Sequence, residues 1–319
     1  MRTVGGMKVL GSIEEARETG AVRGGAVAIG NFDGVHLGHQ ALMRLARERA
    51  AARGAPSAVL TFDPHPVRVL RPSVAPPVLT ALPRKLELLA GLGLDATVVQ
   101  PFDLAWARTT AEVFVERDLA GGLGVKDVVV GHDFTAGNQR ARVDALRPML
   151  EARGIALQVV APVASDGLVV SSTKIRELLL EGNVEDAAAL LTRPHDVTGE
   201  VVRGAGRGRG FGFGTANVAT PCLLPRNGVY AVRAVVGARA EQGGVCNVGV
   251  KPTVEAAGGV TCEVHLFDHD GSDLYGEAIR VAFVARLREE RRFPSVDALR
   301  AQIAEDAAKA RALVGPGSM

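Results

Sequence analysis

Apolar residues recur along the N-terminal half of the chain in two alternating rhythms. Short continuous runs at Ala26–Ile29, Ser57–Phe62, Ala96–Gln100, Asp127–Val130 and Ala156–Ala161 read as buried strands. Between them lie stretches of helical period: Leu42, Leu45 and Ala46; Leu86, Leu89 and Ala90 within Arg84–Leu92; Thr110–Leu119; and Val143–Arg153. Repeated strand–helix units whose strands are apolar throughout predict a parallel sheet covered on both faces. A further helix is expected from Ser171-Ser172-Thr173, whose hydroxyls suit a cap, with Ile175, Leu178 and Leu179 inward.

After about Pro194 the rhythm changes to period two with glycine punctuation, and it holds to Pro294. Ile279, Val281, Phe283 and Ala285 share one strand face. On another strand Thr261, Glu263, His265 and Phe267 lie opposite Cys262, Val264 and Leu266. Short strands at this spacing predict a small antiparallel β-barrel, and a closing helix from Ser295 is expected to pack through Leu299 and Ile303. The fold class is therefore α/β, with a parallel-sheet domain over 1–188 and a β-barrel domain over 189–319 ending in a helix.

Composition narrows the classes. The 319 residues are 47% hydrophobic and 23% charged, a globular balance with room for two cores. A net charge of +2 gives no general attraction to nucleic acid or membrane, and no apolar run approaches a membrane span. Met1-Arg-Thr-Val-Gly-Gly-Met7 lacks the apolar centre of a secretory signal, so a cytoplasmic protein is expected. Cys222, Cys246 and Cys262 lack metal-type spacing and are expected to be buried, reduced thiols.

Candidate chemistry concentrates at Gly30-Asn-Phe-Asp-Gly-Val-His-Leu-Gly-His39, a glycine turn between a strand and a helix. The N–H groups and dipole of a helix start attract phosphate. His36 and His39, three apart in the first turn, reach the same point. Ser171-Ser-Thr-Lys-Ile-Arg176 adds hydroxyls and a guanidinium that suit a polyphosphate, although alone it reads as an ordinary capped helix. In the second half, Arg203-Gly-Ala-Gly-Arg-Gly-Arg-Gly210 and Thr215-Ala216-Asn217 suit another phosphate site. Glycines admit an anion to the backbone, and hard Thr and Asn oxygens suit Mg²⁺. An RNA-binding arm is the competing reading of the glycine–arginine run; its lack of interleaved aromatics argues against it.

The histidine turn and the Ser171–Arg176 helix start together resemble the nucleotidyltransferase superfamily, with its HxGH turn and ISSTxxR-like helix. The resemblance extends to bacterial bifunctional riboflavin kinase/FAD synthetases. Gly30–His39, Thr61-Phe-Asp-Pro-His-Pro66, Leu86-Glu-Leu-Leu89 and Gly131-His-Asp-Phe134 look like their N-terminal module. Gly206-Arg-Gly-Arg209, Gly212–Asn217, Asn227–Tyr230, Asn247–Gly249, Pro252-Thr253, Glu263–Asp268, Asp273–Gly276 and Arg286–Arg288 look like their kinase module. The resemblance implies a Rossmann-like nucleotidyltransferase (FMN adenylyltransferase) domain followed by a riboflavin kinase barrel. Riboflavin would become FMN, and FMN would become FAD with release of pyrophosphate. ATP, riboflavin, FMN and FAD are then its small-molecule partners and Mg²⁺ its cofactor, with no nucleic acid or membrane partner and homo-oligomerisation open.

The implied roles are as follows. His36 and His39 are catalytic at the first site, where Gly30, Asn31, Phe32, Asp33, Gly38, Ser172, Thr173 and Arg176 bind ATP. At the second site Gly206, Arg207, Arg209 and Gly212 bind phosphates, Thr215 and Asn217 hold metal, and Glu263 is the base for the flavin 5′-hydroxyl. Phe62, Asp133, Asn138 and Arg286 contact flavin, although Phe62 reads equally well as core. The chain departs from the pattern at Gly214, where GFPTAN has proline, at Thr135 and Ala136 in the GxDFRFG segment, and at Lys174. Glycine at 214 loosens the loop, so a slower kinase half is expected; the alternative reading is that only the adenylyltransferase half is efficient.

Overall fold

The structure is a computed structural model that describes residues 2–203, 215–250 (backbone only at Thr215 and Val250), 260–269, 271–291 and 293–315. By contacts the chain divides into two units, Met1–Pro76 with Leu82–Val170, and Pro77–Ala81 with Ser171–Met319.

The first unit is built on seven strands: β1 (Arg2–Val4), β2 (Met7–Leu10), β3 (Ala26–Ile29), β4 (Ser57–Asp63), β5 (Ala96–Pro101), β6 (Asp127–Gly131) and β7 (Ala156–Val160). Their spatial order is β1-β2-β5-β4-β3-β6-β7. All neighbours run parallel except β1 and β2, a hairpin not expected from the apolar pattern. The helices that cover this sheet are α1 (Ile13–Thr19), α2 (Leu37–Ala51), α3 (Leu82–Gly91), α4 (Ala111–Val113, widening into a π-helix over Phe114–Leu123) and α5 (Val143–Glu151). Strand β3 shows why its sequence is apolar throughout. Val27 and Ile29 enter a core closed by α1, α4 and α5, whereas Ala26 and Ala28 enter the opposite core, closed by α2 and α3. The expected Thr110–Leu119 helix runs on to Leu123. Gly122 permits this fit, since a Cβ there would lie 2.6 Å from Ile13 Cγ2. Strand order reverses between β3 and β6, the kind of switch point where open parallel sheets leave a crevice for ligands.

The second unit contains helices α6 (Ser172–Glu181) and α7 (Val184–Leu191) and six strands: β8 (His195–Val202), β9 (Thr215–Ala219), β10 (Gly228–Val236), β11 (Gln242–Val250), β12 (Val260–Leu266) and β13 (Ala278–Arg288). They close into an antiparallel barrel of order β8-β9-β12-β11-β10-β13. Cys262, Val264, Leu266, Ile279, Val281 and Phe283 are buried, in step with the period-two pattern. By contacts α6 and α7 group with the barrel. Arg226 N donates to Leu179 O at 2.8 Å and Arg286 N to Glu185 Oε1 at 3.1 Å.

The closing helix α8 (Val296–Val314) requires a correction. Leu299 and Ile303 are only half-buried; the deepest residues are Gln302, Asp306, Ala310 and Val314. Asp306 accepts from Nε and Nη2 of Arg288 at 3.0 and 2.8 Å and from Gln302 Nε2 at 2.8 Å. That polar anchor turns the helix, and Ala310 and Val314 then cover Phe267 and Ala231.

Two candidate nucleotide sites

The first site grows from the end of β3. Gly30 N donates to Leu60 O, and the chain then turns with positive φ at Phe32 (51°), Gly34 (92°) and Val35 (46°). Such a conformation in a β-branched residue is strained, and strain of this kind collects at functional sites. His36 caps α2: its Nδ1 accepts from His39 N at 3.4 Å. A neutral His36 therefore carries its proton on Nε2. The rings of His36 and His39 stack with centroids 3.5 Å apart, and Phe32 meets His39 edge-on at 5.2 Å. Gly38 is the residue the stack requires, because a Cβ there would lie 3.2 Å from His36 Cε1. At Gly30 a Cβ would press within 3.0 Å of the Phe32 ring. The far end of α2 is held by Arg49, whose Nε donates to the fully buried Asp127 at 2.9 Å.

Burial, then His36 and Lys85, hold His39 well below the usual histidine pKa, so its ring is neutral near pH 7. His39 Nδ1 and Asn31 Oδ1 are buried and have no hydrogen-bond partner among the described residues. Buried polar atoms are seldom left that way unless a ligand or water completes them. Sequence reasoning missed Lys85, whose Nζ donates to the Asn31 carbonyl at 3.0 Å. The signal was available: a cation on the apolar stripe of α3.

The remaining sites expected in the first unit fall elsewhere. Phe62 packs against Trp106 (5.1 Å between centroids) and Phe102 (5.9 Å), and Trp106 continues to Phe114. Its ring is half-buried, so part of it does serve the core. Asn138 donates from Nδ2 to Arg108 O at 3.2 Å and Asp133 is exposed. Ser172, Thr173 and Arg176 lie at the start of α6 in the second unit, where Ser171 caps Lys174 N and Arg176 Nε donates to Pro77 O at 2.8 Å.

On the barrel, register places Asn217 (β9) directly across from Glu263 (β12), and Asn247 (β11) across from Glu263 on its other side. Directly paired residues project on one face, so the three form a polar row. Asn217 Oδ1 is buried without a partner among the described residues. Asn247, not anticipated as a site residue, donates to Glu290 Oε1 at 3.1 Å. Glu290 helps line a cavity of about 720 Å³ with Thr220, Arg226, Asn227, Arg286 and Glu289. Arg286, whose Nη2 donates to Asn227 O at 3.0 Å, is on a strand that does not pair with that of Glu263. Gly206, Arg207, Arg209, Gly212 and Gly214 lie outside the described residues, as does the Thr215 side chain. All three cysteines are buried and unbridged. Cys246 and Cys262, distant in sequence, bring their sulfurs within 3.5 Å.

A strained helix-capping turn at the switch point of a parallel sheet, and a polar row beside a cavity on a small barrel, are features that suit a transferase handling nucleotides in each half. The comparisons agree in both halves. The sequence model of FAD synthetase matches residues 19–174 and that of riboflavin kinase residues 191–314. The chain is 40% identical over 298 residues to the bifunctional riboflavin kinase/FMN adenylyltransferase of Pseudomonas fluorescens, covering 93% of this chain and 95% of that one. It is 37% identical over 306 residues to the enzyme of the same name from Escherichia coli K12, covering 95% and 96%. A crystal structure named as a macrolide-efflux protein from Streptococcus pneumoniae shares the architecture, with a TM-score of 0.81, 30% identity, and coverage of 91% and 94%. The chain belongs to the bifunctional riboflavin kinase/FMN adenylyltransferase family. The kinase match runs through Gly214, so the single-activity reading gains no support over the bifunctional one. Among the described residues no helix is long and apolar enough to cross a membrane.

Proposed function

We propose that the Gly30–His39 turn is the site of adenylyl transfer to FMN and that the Asn217–Glu263 row is the site of riboflavin phosphorylation. These are the family's two activities. The carrying observation is that, of the buried atoms without a hydrogen-bond partner among the described residues, three lie at these places: Asn31 Oδ1, His39 Nδ1 and Asn217 Oδ1.

At the first site the FMN phosphate attacks the α-phosphorus of ATP, and pyrophosphate leaves. Neutral His39 and the Nε2–H of His36 donate to oxygens that gain charge as the bond forms and breaks. Gly30, Asn31, Phe32, Asp33 and Gly38 hold the nucleotide, largely through the backbone of the turn and the helix start. Ser172, Thr173 and Arg176 are assigned to phosphate, and Phe62, Asp133 and Asn138 to flavin. At the second site Glu263 takes the proton of the flavin 5′-hydroxyl, a helpful rather than dominant contribution, since phosphoryl transfer depends mainly on alignment and charge neutralisation. Gly206, Arg207, Arg209 and Gly212 are assigned to its phosphates and Arg286 to the flavin cavity.

Asn217 Oδ1 is a hard oxygen in need of a partner among the described residues. That fits Mg²⁺, which takes few protein ligands and completes its shell with phosphate and water. Asn217 and Thr215 would hold it, and bound there it would neutralise developing phosphate charge. The proposed modules are residues 1–188 and 189–319, in a cytoplasmic enzyme whose reduced thiols suit that compartment.

One incubation with riboflavin, ATP and Mg²⁺, followed by chromatography, tests the assignment. The native chain yields FMN and then FAD. His39→Ala accumulates FMN, and Glu263→Ala slows FMN formation so that riboflavin persists; unchanged products from either would overturn its site.

A further inference from the structure

Lys85 occupies a place where a cation is costly. It lies on the buried stripe of α3 with Leu86 and Leu89 and is 7% exposed. An ammonium so placed must be hydrogen-bonded and charge-compensated to persist. Its Nζ donates to the Asn31 carbonyl at 3.0 Å and lies 3.5 Å from Thr61 Oγ1. Thr61 Oγ1 donates to the same carbonyl at 3.2 Å. Asp33 and Asp63 favour the ammonium against the burial that lowers its pKa.

Two donors from beneath thus hold one carbonyl where the chain leaves β3. The next residues take the positive φ values of Phe32, Gly34 and Val35. A turn strained in this way persists only where its surroundings over-determine it. The clamp also engages the backbone of Asn31 while its side-chain Oδ1 stays without a partner among the described residues.

We propose that Lys85 is a positioning residue for adenylyl transfer. Its ammonium holds the Asn31 carbonyl and so fixes the strained turn in the geometry that presents Asn31, Asp33, His36 and His39 to the nucleotide. The inference rests on that turn being the adenylyl-transfer site. Methionine at 85 would fill nearly the same space without a donor or a charge, so mere space-filling and clamping predict different results.

The test uses the full chain. For Lys85→Met, kcat for FAD formation from FMN and ATP falls about 100-fold, as for a reacting group displaced by about 1 Å. KM for ATP moves less than about threefold, because what is lost is alignment rather than ground-state binding. In Lys85→Ala, added propylammonium restores kcat whereas propanol, of similar size but uncharged, does not. Riboflavin phosphorylation in the same preparations stays at the native rate. A Lys85→Met kcat within about threefold of native overturns the proposal, as does equal rescue of Lys85→Ala by propanol. Outright unfolding of both variants assigns Lys85 to stability and overturns it too. His39→Ala is run alongside: if it leaves FAD formation intact, the site assignment itself is wrong. If His39→Ala abolishes FAD formation while Lys85→Met does not, only the role of Lys85 fails.

Discussion

Lowering the pH through the ordinary histidine range should cost the first unit stability through His39 in particular. Burial, then His36, then Lys85 hold its folded-state pKa well below the reference value of 6.5. The unfolded chain binds this proton as the pH drops below about 6.5, while the folded chain does not. The contribution is therefore complete above 6.5 and shrinks on acidification until the folded-state pKa is reached. Between about pH 7.5 and pH 5.5, a histidine kept neutral by the fold removes up to about 1.4 kcal/mol of stability. His39→Gln abolishes this single titration and leaves the other six of the seven histidines in place. Urea unfolding of the first unit at both pH values gives four free energies, and their double difference isolates His39. The expected result is a larger loss in the native protein than in His39→Gln, with about 1.4 kcal/mol as its ceiling. Parallel losses in the two proteins would refute the reasoning. So would an imidazole signal that disappears in His39→Gln and titrates near 6.5.

Gly38→Ala places a Cβ about where His36 Cε1 must yield by a few tenths of an ångström. FAD formation should fall roughly tenfold or more with kinase turnover unchanged, and a native rate would show that the histidine stack is not catalytically demanding. Asn217→Ala should cut FMN formation while leaving FAD synthesis from supplied FMN intact, with higher Mg²⁺ recovering part of the loss; both rates measured in one preparation decide this. Asp306→Ala strands Arg288 without its carboxylate and should destabilise the second unit by about 3 kcal/mol, read as a lowered Tm of its transition alone. Phe62→Ala separates two roles: a flavin wall raises KM for FMN at constant stability, whereas a core role lowers Tm at constant KM.

Much of this was legible in the linear chain because it is written locally. The strand, turn and helix around Gly30–His39 are specified by an apolar tetrad, a glycine turn and a capping His36, all within 26 successive residues from Ala26 to Ala51. The period-two faces of β12 and β13 were equally local. Other features failed for a common reason. The β1–β2 hairpin is too short for periodicity to register. The α8 stripe misled because its deepest positions include Gln302 and Asp306, polar residues buried only because Arg288 is there to meet them.

By itself the sequence determined the strand–helix alternation from Ala26 onward in the first half, the change to short strands in the second, the histidine turn and the family, since each depends on neighbours a few residues apart or on motif order. Only the tertiary structure decided that Lys85 lies beneath Asn31, that Asn217, Glu263 and Asn247 form one row, and that Cys246 meets Cys262. Those juxtapositions join residues from 16 to 54 positions apart, and strand register and helix packing select them through burial and hydrogen-bond satisfaction, which no local pattern encodes.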